Sequence, residues 1–156
     1  MRWLYIFGDD MAKSLLIKDE EFVTIVLHFE HHTNRHGVRQ YKILSEKEAK
    51  DALANGSKNI DSITTKWTMP TWNSNSYILR SSTYYNPTEG TNKIDWSKYQ
   101  DNLFKTCLRE WDLIGDDDKP IPVNNDTIGS LPAIIAAALL EKYEKCLALE
   151  EEDRKK

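Results

Sequence analysis

Four histidines, His28, His31, His32 and His36, form the densest run of metal-ligating chemistry in the chain. A zinc site needs neutral imidazoles converging at about 2 Å from the ion, with carboxylates or carbonyls orienting the rings. The spacing H-x-x-H-H-x-x-x-H, with Glu30 inside it, matches no fixed zinc signature, and H-E-x-x-H is absent. On a strand, His28, Glu30 and His32 share one face and His31 points away, so two imidazoles and one carboxylate are the most a face offers. These histidines are expected to be exposed or to touch a partner. Asp116-Asp117-Asp118 lacks the D-x-D-x-D-G loop and the closing Glu of a calcium site, so it reads as a solvated turn. Cys107 and Cys146 are too few for a disulfide scaffold and too far apart for a zinc ribbon. Both sit among apolar helical positions and are expected to be reduced and buried. There is no Gly-rich phosphate loop, no G-x-S-x-G and no cysteine with a nearby histidine. The expectation is a protein without catalytic residues, bound metal or cofactor, and not an enzyme.

The elements that would position any site come next. The 156 residues carry 21 Lys+Arg against 25 Asp+Glu, for a net charge of −4, which argues against a general nucleic-acid binder. Apolar residues make up 40%, with five Trp, seven Tyr and four Phe, enough for a core. Charge is polarised: residues 27–86 hold eight basic against five acidic groups, and residues 95–126 hold four against eight. The acidic segment reads either as surface patterning or as a patch that docks a basic partner. The uncharged stretch Thr127 to Leu140 is 14 residues, too short for a membrane span, and Trp3 to Phe7 is too short for a secretory signal. A soluble intracellular protein with no membrane partner is expected.

Residues 1–10 read in two ways. Met11-Ala12-Lys13 resembles a natural start, which places 1–10 upstream of it; alternatively Trp3, Leu4, Ile6 and Phe7 form an edge strand. Ser14 to Ile17 is a short apolar run before a polar turn at Lys18 to Glu21. Phe22 to Phe29 is β-branched and aromatic and predicts a central strand, with Val38 to Leu44 alternating beside it. Ser45-Glu-Lys-Glu48 is a capping box that predicts a helix over about 46–54, stopping near Asn55-Gly56. Ile60 to Met69 and Ser76 to Ser81 read as strands, and 82–94 as a loop. Trp67 reads as core. Trp72 covers an edge or stands out as an aromatic anchor, as do Tyr84 and Tyr85 in the loop. Asp95 looks like an N-cap, followed by Trp96, Tyr99, Leu103, Cys107 and Trp111 at helical spacing. Asn124 caps a short turn ending at Gly129, and Leu131-Pro132 opens a last helix. The fold class is α+β: a small, mostly antiparallel sheet with one helix over residues 1–94, a helical hairpin module over 95–150, and a frayed charged tail at 151–156.

The run Trp111-Asp-Leu-Ile-Gly115-Asp-Asp-Asp-Lys-Pro120-Ile-Pro-Val-Asn124, continuing through Ile128 and Leu131-Pro132 to Ile135, Leu140 and Tyr143, resembles a pattern in tailed-bacteriophage tail assembly chaperones and related small tail-morphogenesis proteins. The likeness covers about residues 96–145. The family form often has Gly where Asp118 stands and Thr where Asn124 stands. The resemblance implies a non-enzymatic protein of the host cytoplasm that coats the long helical tape-measure protein. Its partner surface is expected on the last helix, at Ile135, Leu139 and Tyr143, with Trp72, Tyr84 and Tyr85 as additions; a homo-oligomer is compatible with this reading.

The motif also has a physical reading of its own. Trp111 ends a helix and serves as a hub. Pro120 and Pro122 stiffen an extended arm that lays Ile121 and Val123 across it, and Leu131-Pro132 turns the last helix back. Three rival readings are a structural virion protein, such as a head–tail or baseplate component, a small phage protein that binds a host enzyme, and a metal-dependent enzyme using the histidine cluster.

Overall fold

The computed structural model describes residues 21–148. The two readings of residues 1–10, the apolar run Ser14 to Ile17 and the charged tail at 151–156 lie outside the described residues.

The central strand is β1 (Phe22–Thr33), four residues longer than its apolar run predicts. Its extension follows from a tight turn. The Asn34 side-chain oxygen accepts from the amides of His36 (2.9 Å) and Val38 (3.0 Å), and Gly37 takes a φ of +77°. The chain therefore reverses only after Thr33, and His31, His32 and Thr33 pair with Tyr41, Gln40 and Arg39 of β2 (Arg39–Leu44).

Helix α1 (Glu46–Ala54) begins as its capping box predicts. The Ser45 hydroxyl accepts the Glu48 amide at 3.2 Å, and the Glu48 carboxylate accepts the Ser45 amide at 2.7 Å. The helix leads to β3 (Ile60–Thr68), which pairs antiparallel with β1 along nearly its whole length. Because β2 and β3 are both antiparallel to β1, they run parallel to each other, and α1 is the crossover between them.

After Pro70 the structure departs from expectation. Residues 76–81 are not a strand but part of α2 (Trp72–Ser82). Thr71 and Ser74 form a reciprocal cap, with the Thr71 amide donating to Ser74 Oγ (2.8 Å) and the Ser74 amide to Thr71 Oγ1 (3.2 Å). Ile78 and Ser82, four residues apart, are the buried positions, as helical spacing requires. The expected loop at 82–94 is a two-stranded ribbon, β4 (Thr83–Asn86) and β5 (Thr91–Ile94). Helix α3 (Trp96–Cys107) starts at Asp95, whose carboxylate accepts the Lys98 amide at 3.1 Å. It stops at Cys107, and Trp111 lies instead in β6 (Leu108–Trp111), on the edge of the sheet beside β3. Asn124 caps α4 (Asn125–Gly129), and α5 (Ala133–Leu147) follows Pro132.

The fold is α+β. The main sheet has the order β2-β1-β3-β6 and is antiparallel at each pairing. One face is buried: Ile25 and Leu27 of β1 stand opposite Thr65 and Ile63 of β3, and Val23 stands opposite Trp67. Helices α3 and α5 complete this core with Leu103, Phe104, Cys107, Ile135, Leu139, Leu140 and Tyr143. The other face carries exposed Phe22, Thr24, Val26 and Lys66. This one-sided alternation is the usual consequence of an antiparallel sheet covered on one side.

Trp67 is the hub of that core, rather than Trp111. It is fully buried, stacks on Tyr143 (centroids 4.5 Å apart, planes at 19°) and meets Phe104 edge-on at 4.8 Å. Its indole N–H donates to Thr65 Oγ1 at 2.7 Å, and the Thr65 hydroxyl donates to Ile25 O at 3.2 Å, so no polar atom is stranded. The same core cluster takes residues from both sides of position 94/95. The segments 21–94 and 95–148 therefore share one core, and the boundary expected at 94/95 does not separate two.

Candidate interaction surface

Between β3 and β6 the chain makes an excursion: α2, the β4–β5 ribbon, then α3. The pairing of Thr83 with Ile94 and the Asp95 amide bond to Ser82 O (2.8 Å) bring the end of α2 beside the start of α3. Ser82 ties the two helices together. Its hydroxyl donates to Ile78 O at 2.6 Å and accepts from Asn102 Nδ2 at 3.1 Å. The excursion is thus a braced helix–ribbon–helix arm.

This arm carries every exposed tryptophan and tyrosine among the described residues. Trp72 is 85% exposed, Tyr77 60%, Tyr84 50%, Tyr85 61% and Trp96 65%. Leu79 is exposed on α2 as well, and Trp96 leans edge-on against Tyr99 at 5.6 Å. Large aromatics left in water on a braced scaffold are the side chains that anchor protein partners, since they bring area at little conformational cost. Tyr77 was expected on a strand over 76–81 and Trp96 on the apolar stripe of the helix after Asp95; both are exposed instead.

The other expected partner residues are placed differently. Ile135, Leu139 and Tyr143 are buried against the sheet, which corrects the expectation that they face a partner. The apolar stripe of α5 is consumed by the chain's own core. Tyr143 donates its hydroxyl to Thr68 O at 2.6 Å, and Lys142 donates to Val26 O at 2.9 Å on the stretch of β1 that β2 does not reach. What α5 leaves exposed is Ala133, Ile134, Ala137, Glu141, Lys145 and Cys146. Cys146 is therefore exposed, contrary to expectation, while Cys107 is buried.

The proline arm folds back as its sequence suggests, although it is pinned to the sheet edge and not to a helix end. Trp111 is half-buried, and its indole N–H donates to Ile121 O at 2.7 Å. The Ile121 amide donates to Leu113 O (2.9 Å), Ile114 bridges to Pro120, and Gly115 N–H bonds Lys119 O at 2.8 Å. Asp118 sits in the turn with a φ of +58°. Pro120 and Pro122 are exposed, Ile121 is half-buried, and Leu131 packs on the core. Half-buried Pro132 accepts the amides of Ile135 and Ala136 at 3.0 Å each.

The histidines do not converge. His32 Nε2 meets Gln40 Oε1 at 2.9 Å, His31 stands opposite Tyr41 on β2, and His36 lies in the turn, accepting from Arg35 Nε at 3.2 Å. Among the described residues no three His, Cys, Asp or Glu side chains gather where one ion would bind. Cys107 and Tyr143 are neighbours in the core. Burial holds the Cys107 thiol above its ordinary value, and burial with the adjacent thiol raises the Tyr143 phenol further. A buried thiol kept protonated is not a nucleophile. No helix among the described residues is long and apolar enough to cross a membrane.

Fold and surface together describe a single-core α+β protein whose exposed tryptophans and tyrosines, among the described residues, lie on the helix–ribbon–helix excursion between β3 and β6. Comparison with family models, curated proteins and solved structures found no match.

Proposed function

We propose that this chain is a non-enzymatic tail assembly chaperone of a tailed bacteriophage, acting in the host cytoplasm on the tape-measure protein. The observation that carries the reading is that, among the described residues, every exposed tryptophan and tyrosine lies on one braced arm. A tape-measure helix presents apolar stripes, and exposed aromatics are suited to cover them. The partner surface is accordingly the arm, including Trp72 and Tyr77 of α2, and not α5.

The local geometry of the resembling segment supports the same reading. Where the family form often has glycine, Asp118 adopts the left-handed conformation that glycine takes without cost and aspartate tolerates. Where it often has threonine, Asn124 caps α4 by accepting the Thr127 amide at 2.9 Å, a role threonine also fills. Both differences keep the backbone that the pattern needs.

The test is co-expression of the chain with a tape-measure protein, followed by affinity capture. The wild type should recover the partner, and the Trp72→Ala/Tyr77→Ala variant should lose it while keeping its circular dichroism and urea midpoint. Full recovery by that variant refutes the arm as the surface. Stoichiometric presence of the chain in purified virions refutes the chaperone reading and favours a structural virion component.

A further inference from the structure

Strand β1 is paired unevenly. On one side β3 accompanies it from Phe22 to Glu30, whereas on the other β2 reaches only from His28 to Thr33. Among the described residues no strand lies beside β1 on that second side over residues 22–27. Two bonds fix which backbone groups face this edge. The His31 amide donates to Asn59 O, on the β3 side, and the Val26 carbonyl accepts from Lys142 Nζ of α5. The N–H and C=O of one strand residue point the same way, and the direction alternates along the strand. Odd-numbered residues of β1 therefore bond β3, and Phe22, Thr24 and Val26 turn their backbone groups to the edge. Such a row is a template for one more strand. A groove of about 270 Å³ runs along it, lined by Thr24, Ile25, Val26, Lys142, Lys145 and Cys146.

The chain's own sequence matches this edge in length and in phase. Residues 14–17 read Ser-Leu-Leu-Ile, residues 18–21 read Lys-Asp-Glu-Glu, and Phe22 opens β1. Four-residue loops are common hairpin connections. With 18–21 as the loop, Ile17 stands opposite Phe22, Leu16 opposite Val23, Leu15 opposite Thr24 and Ser14 opposite Ile25. Ile17 and Leu15 then meet the two residues whose backbone faces outward, so each pair can exchange two hydrogen bonds. The faces agree as well. Leu16 would join half-buried Val23 on the side that α5 covers, while Leu15 and Ile17 would join exposed Phe22 and, diagonally, exposed Val26 on the other. The next hydrogen-bonded pair would be Lys13 with Val26, but Lys142 already holds the Val26 carbonyl. That bond closes the ladder where the apolar run of residues 14–17 begins.

We propose that the edge of β1 over residues 22–25 is a docking site for residues 14–17 of the same chain, laid antiparallel as a hairpin strand in line with β2. A foreign strand or a second copy would have to compete with a segment tethered four residues away, whose effective concentration the short loop keeps high. The inference stands independently of the tail-assembly reading.

Amide hydrogen exchange of the full 156-residue chain, followed by NMR, tests it. The Phe22 and Thr24 amides should exchange at least about tenfold slower in the wild type than in the Leu15→Pro variant, which removes the donor to Thr24 O. The Ile25 and Leu27 amides, which bond β3, should keep their rates in both and so report an intact sheet. Disulfide trapping is the second measurement, in a Cys146→Ala background, since Cys107 is buried. Leu16→Cys/Val23→Cys, on one face, should close a disulfide in air. Leu15→Cys/Val23→Cys, of similar separation but on opposite faces, should not. Equal Phe22 and Thr24 exchange in the wild type and the proline variant overturns the proposal. So does protection that weakens on dilution, which assigns the edge to a second copy, or equal closure of the two cysteine pairs.

Discussion

Replacing Tyr143 by phenylalanine separates two contributions that meet in one buried side chain. The ring stack on Trp67 at 4.5 Å survives, whereas the 2.6 Å bond from the hydroxyl to Thr68 O is lost. A carbonyl left without its buried donor costs about 1–2 kcal/mol, while Tyr143→Ala, which also opens a cavity, should cost about 3–5 kcal/mol. The pH dependence is the sharper test. Burial raises the Tyr143 phenol above its ordinary value in the folded protein. In the unfolded chain the phenol ionises near pH 10, so the stability from keeping it neutral is present below that pH. Above it, the unfolded state sheds a proton that the folded state retains, and stability falls by about 1.4 kcal/mol per pH unit from this residue. The phenylalanine variant lacks this loss. Tyr99, whose phenol is also raised by burial, is common to both proteins and cancels to first order in the difference, and Cys107, whose thiol meets the Tyr143 hydroxyl, is replaced by alanine in both so that it does not contribute. The gap between wild type and Tyr143→Phe should therefore be about 1–2 kcal/mol at neutral pH and close within about one pH unit above 10. Urea denaturation followed by tryptophan fluorescence across that range measures it. A gap that stays constant into alkali would mean that Tyr143 ionises alike in both states, and the buried stack would be wrong.

The two tryptophans offer a second comparison. Trp67→Ala should cost about 3–5 kcal/mol or abolish folding, and half-buried Trp111→Ala about 2–3 kcal/mol, by the same denaturation assay; the reverse order would restore Trp111 as the hub. Zinc should leave the urea midpoint unchanged, because no three ligands converge among the described residues. A zinc-dependent rise that the His31→Ala/His32→Ala variant removes would contradict this, since a ligand that binds only the folded state must stabilise it.

Local signals read well in the sequence. The Ser45–Glu48 capping box, the Asp95 and Asn124 caps and the β-branched run at Phe22 to Phe29 each act over a few residues, so each was legible without knowledge of the fold. The mixed α+β class followed from them. Residues 76–81 were ambiguous because a short run with Tyr, Ile and Leu suits a strand as well as a helix. The Thr71–Ser74 cap and the burial of Ile78 between α2 and α3 decided for the helix. The ribbon was hidden because its strands are four residues long and polar at their ends, and it is the flanking helices that hold it.

The candidate site divides along the same line. Composition already showed surplus aromatics and the absence of familiar catalytic motifs, since these depend on residue type alone. Periodicity also marked Ile135, Leu139 and Tyr143 as one apolar face of a helix. Whether such a face meets a partner or the chain's own sheet is a matter of which surfaces are left over once the core closes. Trp67, on the sheet's buried face, stacks on Tyr143, and the stripe was taken. Trp72, Tyr77, Tyr84, Tyr85 and Trp96 remained outside because the arm that bears them leaves the sheet between β3 and β6. Burial is a property of three-dimensional competition among apolar faces, and no local pattern encodes its outcome.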